Sequence, residues 1–281
     1  MTARGNPVSQ DGGAALLSSL VRKLLIMTLT AASMLSLSAT ATAATTATPV
    51  KHPKLIANPL YEAGALPATT CEEPKVKRND RKSGRAYVDA VIACLESTWE
   101  QHLTAADLPF SKVKVRYVSK LPKTYCGTRE TEKEDSTARY CGKTGELVFQ
   151  LGKTWLDDPS DLWLFNTVSY MYGWHVMKLV GIADAYDAAP SSGKTEDREL
   201  ARRQSLQNDC FSTAFLKSVW PLKGRTTKDW TYLLSMVEGD APGEARLYGK
   251  RANVVAWYKR GFATGDPGSC NTWTAPSSKV A

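Results

Sequence analysis

The sequence is poor in histidine. It has three, His52, His102 and His175, and no two of them stand four residues apart. A helical H-x-x-x-H pair, which lets two imidazoles one turn apart face the same metal ion, is therefore excluded. No Cys-x-x-Cys occurs, which argues against a zinc ribbon and a thioredoxin-like redox site. Gly-x-Ser-x-Gly, the phosphate-binding loop and the dinucleotide fingerprint are absent as well. There is no internal repeat, and no basic cluster interleaved with aromatics suggests nucleic acid. The apolar run near the N-terminus, Leu24–Ser38, has 15 residues. That is short of the roughly 20 that a membrane span needs.

That run reads instead as the core of a signal peptide over residues 1–43. Arg22 and Lys23 precede it, and Ala39, Ala41 and Ala43 supply small residues for a cut. The stretch before Arg22 is long for such a leader, which raises Val21 as an alternative start. Contact with a membrane is expected only through this segment, if it stays uncleaved. Residues 44–70, rich in Ala, Thr and Pro, read as a flexible lead, 71–275 as one domain and 276–281 as a disordered tail. The formal net charge is +8. Removing residues 1–43 takes away three bases and one acid, leaving +6. An exported protein of that charge could be drawn to anionic cell-surface polymers, although a solvated basic surface is the plainer reading. All six cysteines, Cys71, Cys94, Cys126, Cys141, Cys210 and Cys270, follow the leader. An even count in an exported chain suggests three disulfides, but six cysteines admit about 15 pairings and counting does not choose among them.

Helical patterns dominate. Val88, Val91, Leu95 and Trp99 recur at steps of three and four, which predicts an amphipathic helix over 84–103. "KVKVRYV" and "ELVFQLG" alternate as strands. The charged stretch 126–141 between them reads as a surface loop that a Cys126–Cys141 bridge could staple. A helix capped by Ser160 or Asp161 should run to Gly181, and a long one from Thr195 to Val219. Two shorter helices should follow, in "TKDWTYLLSMVEG" and "EARLYGKRANVVAWYKRGFATG". The whole is an α+β domain, mostly helical, with a small sheet in its N-terminal half.

Three blocks of residues carry a resemblance. "YMYGWHVMKLVGI" is similar to H-E-x-G-H-H-V-Q-x-L-x-G-I, keeping Gly173, His175, Val176, Leu179, Gly181 and Ile182. "SLQNDCF" matches E-L-Q-A-D-C-[FY] at Leu206, Gln207, Asp209, Cys210 and Phe211. "AWYKRGFATGDPGSCNT" keeps Trp257, Gly261, Phe262, Gly265, Asp266, Pro267, Cys270 and Thr272 of a third block. On these the chain resembles the neutral zinc metallopeptidase family, over roughly Cys71 to Thr272. The resemblance implies a zincin-like fold. It also implies where the metal chemistry would sit, and there the sequence departs from the family. The motif's first histidine falls on Tyr170, its glutamate on Met171 and its second histidine on Trp174. The third ligand falls on Ser205, and a further family histidine on Tyr248. The retained His175 follows the second ligand, so it points about 100° away around a helix.

The expected cofactor is therefore none, with no catalytic or metal residue assigned. Tyr170 and Trp174, one turn apart, are expected to fill the vacated volume as core, in preference to forming an aromatic cage. His175 is expected in the core, and Asp209 as a structural hydrogen-bond acceptor. Glu196, Asp197 and Glu199 read as ordinary helix-start charge, and Asp157/Asp158 and Asp184/Asp187 as solvated surface. The expected bridges are Cys71–Cys94 and Cys126–Cys141, which close short loops, and Cys210–Cys270, which ties a helix to the irregular tail. The functional expectation is a secreted, catalytically inactive relative that binds a peptide, a protein or an anionic polymer at the cell surface. The alternative is an active zinc peptidase with displaced ligands, or a hydrolase with an unrecognised site.

Overall fold

The computed structural model describes residues 50–130, 134–159 and 162–281. The leader over 1–43 and the Ser160/Asp161 cap lie outside the described residues. The elements in chain order are α1 (Pro53–Ile56), α2 (Arg81–Ala105), β1 (Lys114–Val118), β2 (Thr124–Tyr125), β3 (Thr128–Arg129), β4 (Thr137–Cys141) and β5 (Glu146–Gln150). They continue with α3 (Lys153–Leu156), α4 (Trp163–Leu179), α5 (Ile182–Ala188), α6 (Lys194–Ser218), α7 (Thr227–Met236) and α8 (Arg251–Thr264). The architecture is α+β. Among the described residues no helix is long and apolar enough to cross a membrane.

The predicted helix over 84–103 is α2, and Val88, Val91, Leu95 and Trp99 are all buried. Asp80 caps it by accepting from the backbone N–H of Lys82 and Ser83. The two alternating stretches form β1 and β5, paired in parallel, with β4 antiparallel on the other side of β5. β5 is the middle strand, so both its faces are covered. Leu147 and Phe149 enter the main core, while Val148 meets Tyr125 and Cys141 in a small second cluster.

Three expectations need correction. The stretch 126–141 is not a plain loop: it contributes to the β2–β3 hairpin and supplies β4. Ala138 and Cys141 point inward, and Arg139 is neutralised by Glu130 at 3.2 Å, so a charged sequence still makes a sheet edge. The lead is not loose over its described part, 50–70. Leu55, Leu60 and Leu66 are buried, and Asn271 Nδ2 donates to the Ile56 carbonyl at 3.0 Å. The tail over 276–281 is also held. Val280 is buried, its carbonyl accepts from Arg202 Nε at 3.0 Å, and the Lys279 carbonyl accepts from Trp257 Nε1 at 2.9 Å. Short apolar residues spaced irregularly carry no period, so a compositional reading misses such docking.

Three disulfides are formed, Cys71–Cys94, Cys126–Cys141 and Cys210–Cys270, the pairings expected. They indicate an oxidising environment. The last joins the centre of α6 to the 3-10 turn Pro267–Cys270 after α8. α6 and α8 approach closely beside it: a Cβ on Gly261 would lie 2.2 Å from the Cys210 carbonyl oxygen.

Candidate functional site

Helices α4 and α6 approach closely where Gly173 leaves room for the Asn208 side chain. A Cβ on Gly173 would lie 1.9 Å from Asn208 Oδ1, and Asn208 Nδ2 donates to the Tyr170 carbonyl at 2.8 Å. This contact sets Tyr170 and Met171 of α4 opposite Ser205 and Asp209 of α6. The Tyr170 hydroxyl stands 3.4 Å from Ser205 Oγ. α8 closes the third side with Val254 and Tyr258, and Tyr248 comes from the loop before it. Asp240 organises that loop by accepting from the backbone N–H of Leu247, Tyr248 and Gly249 at 2.9, 2.9 and 2.7 Å.

Between these elements lies a cavity of about 230 Å³. Tyr170, Met171, Ser205 and Tyr248, four of the positions singled out in the sequence, line it together with Asp209. Trp174 does not. It is buried behind Tyr170, with the two rings edge to face at 5.7 Å between centroids. The expected filling is therefore only half of the arrangement: Trp174 belongs to the core, and the partly buried Tyr170 forms cavity wall. Sequence reasoning missed the remaining walls. Trp155 and Trp163, Leu233 and Met236, and the acidic Glu134, Glu238 and Glu244 come from separate elements. Tyr258 was within reach, one residue beyond the matched Trp257.

Asp209 is the buried carboxyl of the site. It is 8% exposed, and burial pushes its carboxyl up to about 8, against a lowering hydrogen bond from Tyr258. Asn166 Nδ2 donates to the Tyr258 hydroxyl at 3.1 Å, which leaves the phenol proton for Asp209. Burial and then the Asp209 charge raise the Tyr258 phenol. Burial and the same charge raise Tyr170.

His175 lies on another face of α4. Its Nε2 is 2.7 Å from the Ser111 carbonyl oxygen, which can only accept, so Nε2 carries the proton. Nδ1 then accepts from the Tyr140 hydroxyl at 3.0 Å. Burial lowers its pKa. A neutral imidazole with both nitrogens used pins α4 to β4 and to the segment before β1. The other residues weighed in the sequence lie elsewhere. Asp157 is exposed and pairs with Arg78 at 2.9 Å, and Asp184 pairs with Lys178. Glu199, expected as helix-start charge, is buried and holds Arg203 at 2.6 Å.

The cavity residues do not fit a zinc ion. A catalytic zinc takes about three nitrogen, sulfur or carboxylate donors. The motif positions offer a phenol held protonated, a thioether, an indole turned away and a hydroxyl. Asp209 is the carboxyl beside these positions and is engaged by Tyr258, while Glu134, Glu238 and Glu244 line the cavity from other segments without gathering around a common point. Among the described residues no three His, Cys, Asp or Glu side chains gather in a metal-binding arrangement.

The chain matches the model of the family described as putative neutral zinc metallopeptidase over residues 54–231. It belongs to that family, as a member without the histidine ligands. It is 25% identical over 207 residues to the uncharacterized protein YpfJ of Escherichia coli K12. That alignment covers 66% of this chain and 70% of the relative. The protein of the same name from Escherichia coli O6:H1 matches to the same extent. No solved structure matches.

Proposed function

We propose that this chain is an exported, zincin-like binding module that keeps its family's cleft without the metal chemistry. The observation that carries the reading is one of placement. Tyr170, Met171 and Ser205, where the motif would set a ligand, the base and another ligand, share a cavity of about 230 Å³ and offer zinc no adequate donor set. A metal-bound water needs both the ion and a nearby base to become a nucleophile. Met171, at the base's position, cannot take a proton, and Asp209 is hydrogen-bonded by Tyr258. The cavity is large enough for a side chain or a short segment of ligand, with apolar walls and a few polar groups, as binding pockets generally have. The leader and the three disulfides support export. The zincin-like fold rests on the family membership.

Cleavage is the test. Purified mature protein, supplied with zinc and offered casein or mixed peptides, should release fragments no faster than buffer. Cleavage by clean protein that a chelator abolishes would overturn the reading.

A further inference from the structure

The cavity is charged one way. Four acidic side chains line it, Glu134, Asp209, Glu238 and Glu244, and among the described residues no lysine, arginine or histidine does. The chain as a whole has a formal net charge of +8, so this local acidity runs against the bulk composition. The charges also have depth. Asp209 is buried at the floor, Glu134 is partly buried, and Glu238 and Glu244 are exposed. Between floor and mouth the wall is aromatic and apolar. Trp155 and Trp163 meet edge to face at 5.4 Å between centroids, and Met171, Leu233 and Val254 continue the surface.

Acid clusters by themselves are common on protein surfaces. Here the acids share one cavity of about 230 Å³ with aromatic and apolar walls and a buried carboxyl at its floor. Asp209 is held among neutral partners: Tyr258 of α8 donates to it, Tyr170 of α4 faces it, and Asn166 orients Tyr258. No ion pair to it is formed among the described residues, and its carboxyl is pushed up to about 8 by burial. A positive charge brought into the cavity would favour the ionised form of that carboxyl, because attraction between charges is strongest where water is scarce. The indole and phenol faces favour the same sign. An anion would meet the like charges of the exposed Glu238 and Glu244 at the mouth.

Resting on the binding-module reading, we infer that the cavity takes an organic cation: a protonated amine on an apolar stem, such as a lysine-type side chain of a peptide. The stem would lie along the tryptophan and methionine wall, and the ammonium would reach the carboxylates.

Titration calorimetry with three probes of one shape decides it: N-acetyl-lysine methylamide, its uncharged norleucine counterpart and the glutamate compound. The lysine probe should bind at least about tenfold tighter than norleucine, with glutamate weakest. Its advantage should shrink with added salt. Glu238→Gln with Glu244→Gln should reduce the lysine probe towards the norleucine level and leave norleucine unchanged. Both glutamates are exposed, and glutamine keeps the acceptor that Glu244 offers the Ala241 N–H at 3.2 Å, so folding is not at issue. Equal affinity for lysine and norleucine would overturn the inference while leaving an apolar binding cavity. No binding by any probe would overturn it too, and the loss of catalysis is scored separately by the cleavage assay.

Discussion

Replacing Trp174 by alanine should destabilise the fold by about 3–5 kcal/mol, the usual cost of emptying a large aromatic site in a core. The motif places a metal ligand here, and a ligand side chain would face the cleft. Instead the indole is 9% exposed, lies among the core residues and does not line the cavity. Its ring edge also supports Tyr170. Removing it opens a void that the flanking α4–α6 contact cannot close, because Gly173 and Asn208 already touch. Tyr170→Ala should cost clearly less, since that ring is partly exposed and borders empty space. Urea melts of both variants give the comparison. A Trp174→Ala loss below about 1 kcal/mol would place the indole against solvent and contradict its role as core.

The second large effect is a pH dependence carried by Asp209. An aspartate in the unfolded chain ionises near about 4, whereas the folded protein holds this one up to about 8. Between those values the folded state keeps a proton that the unfolded state has lost. Stability from this group is therefore complete at low pH and is lost as pH rises through that window. The gap corresponds to a few kcal/mol, each unit being worth about 1.4 kcal/mol, and water entering the cavity makes this an upper bound. Asp209→Asn removes the titration, so the difference between wild type and variant should grow in the variant's favour from pH 4 to pH 9. The buried His175 and His102 act in the opposite direction: burial lowers both, so they favour folding less as pH falls below their unfolded value. They are present in both proteins and cancel in the difference. Parallel stability profiles for the two proteins would show that Asp209 is already solvated or paired.

The period of Val88, Val91, Leu95 and Trp99 announced α2, because one buried face leaves a repeat in the sequence, and the apolar Leu147–Phe149 run announced β5, a strand covered on both faces. β4 left none, since its two ends face inward and its centre carries an arginine neutralised by another loop. α1 and the C-terminal residues dock through single leucines and a valine and through backbone carbonyls, which have no pattern at all. The candidate site divides the same way. Tyr170, Met171, Ser205, Asp209 and Tyr248 were brought together by their register against known motifs. The second half of the cavity, Trp155, Trp163, Leu233, Met236 and the glutamates, comes from four segments joined only in space. The burial of Asp209 has no signature in "LQNDCF" because an aspartate on a polar helix looks solvated until α8 covers it.

At the family's metal position the pocket offers no arranged set of donors for zinc among the described residues. Elemental analysis of the mature protein, loaded with excess zinc and passed through gel filtration, measures it most directly. The account predicts far less than one zinc per chain, unchanged by Tyr170→Phe or Ser205→Ala, because neither side chain holds a metal. One zinc per chain retained through the column, and lost in either variant, would contradict it.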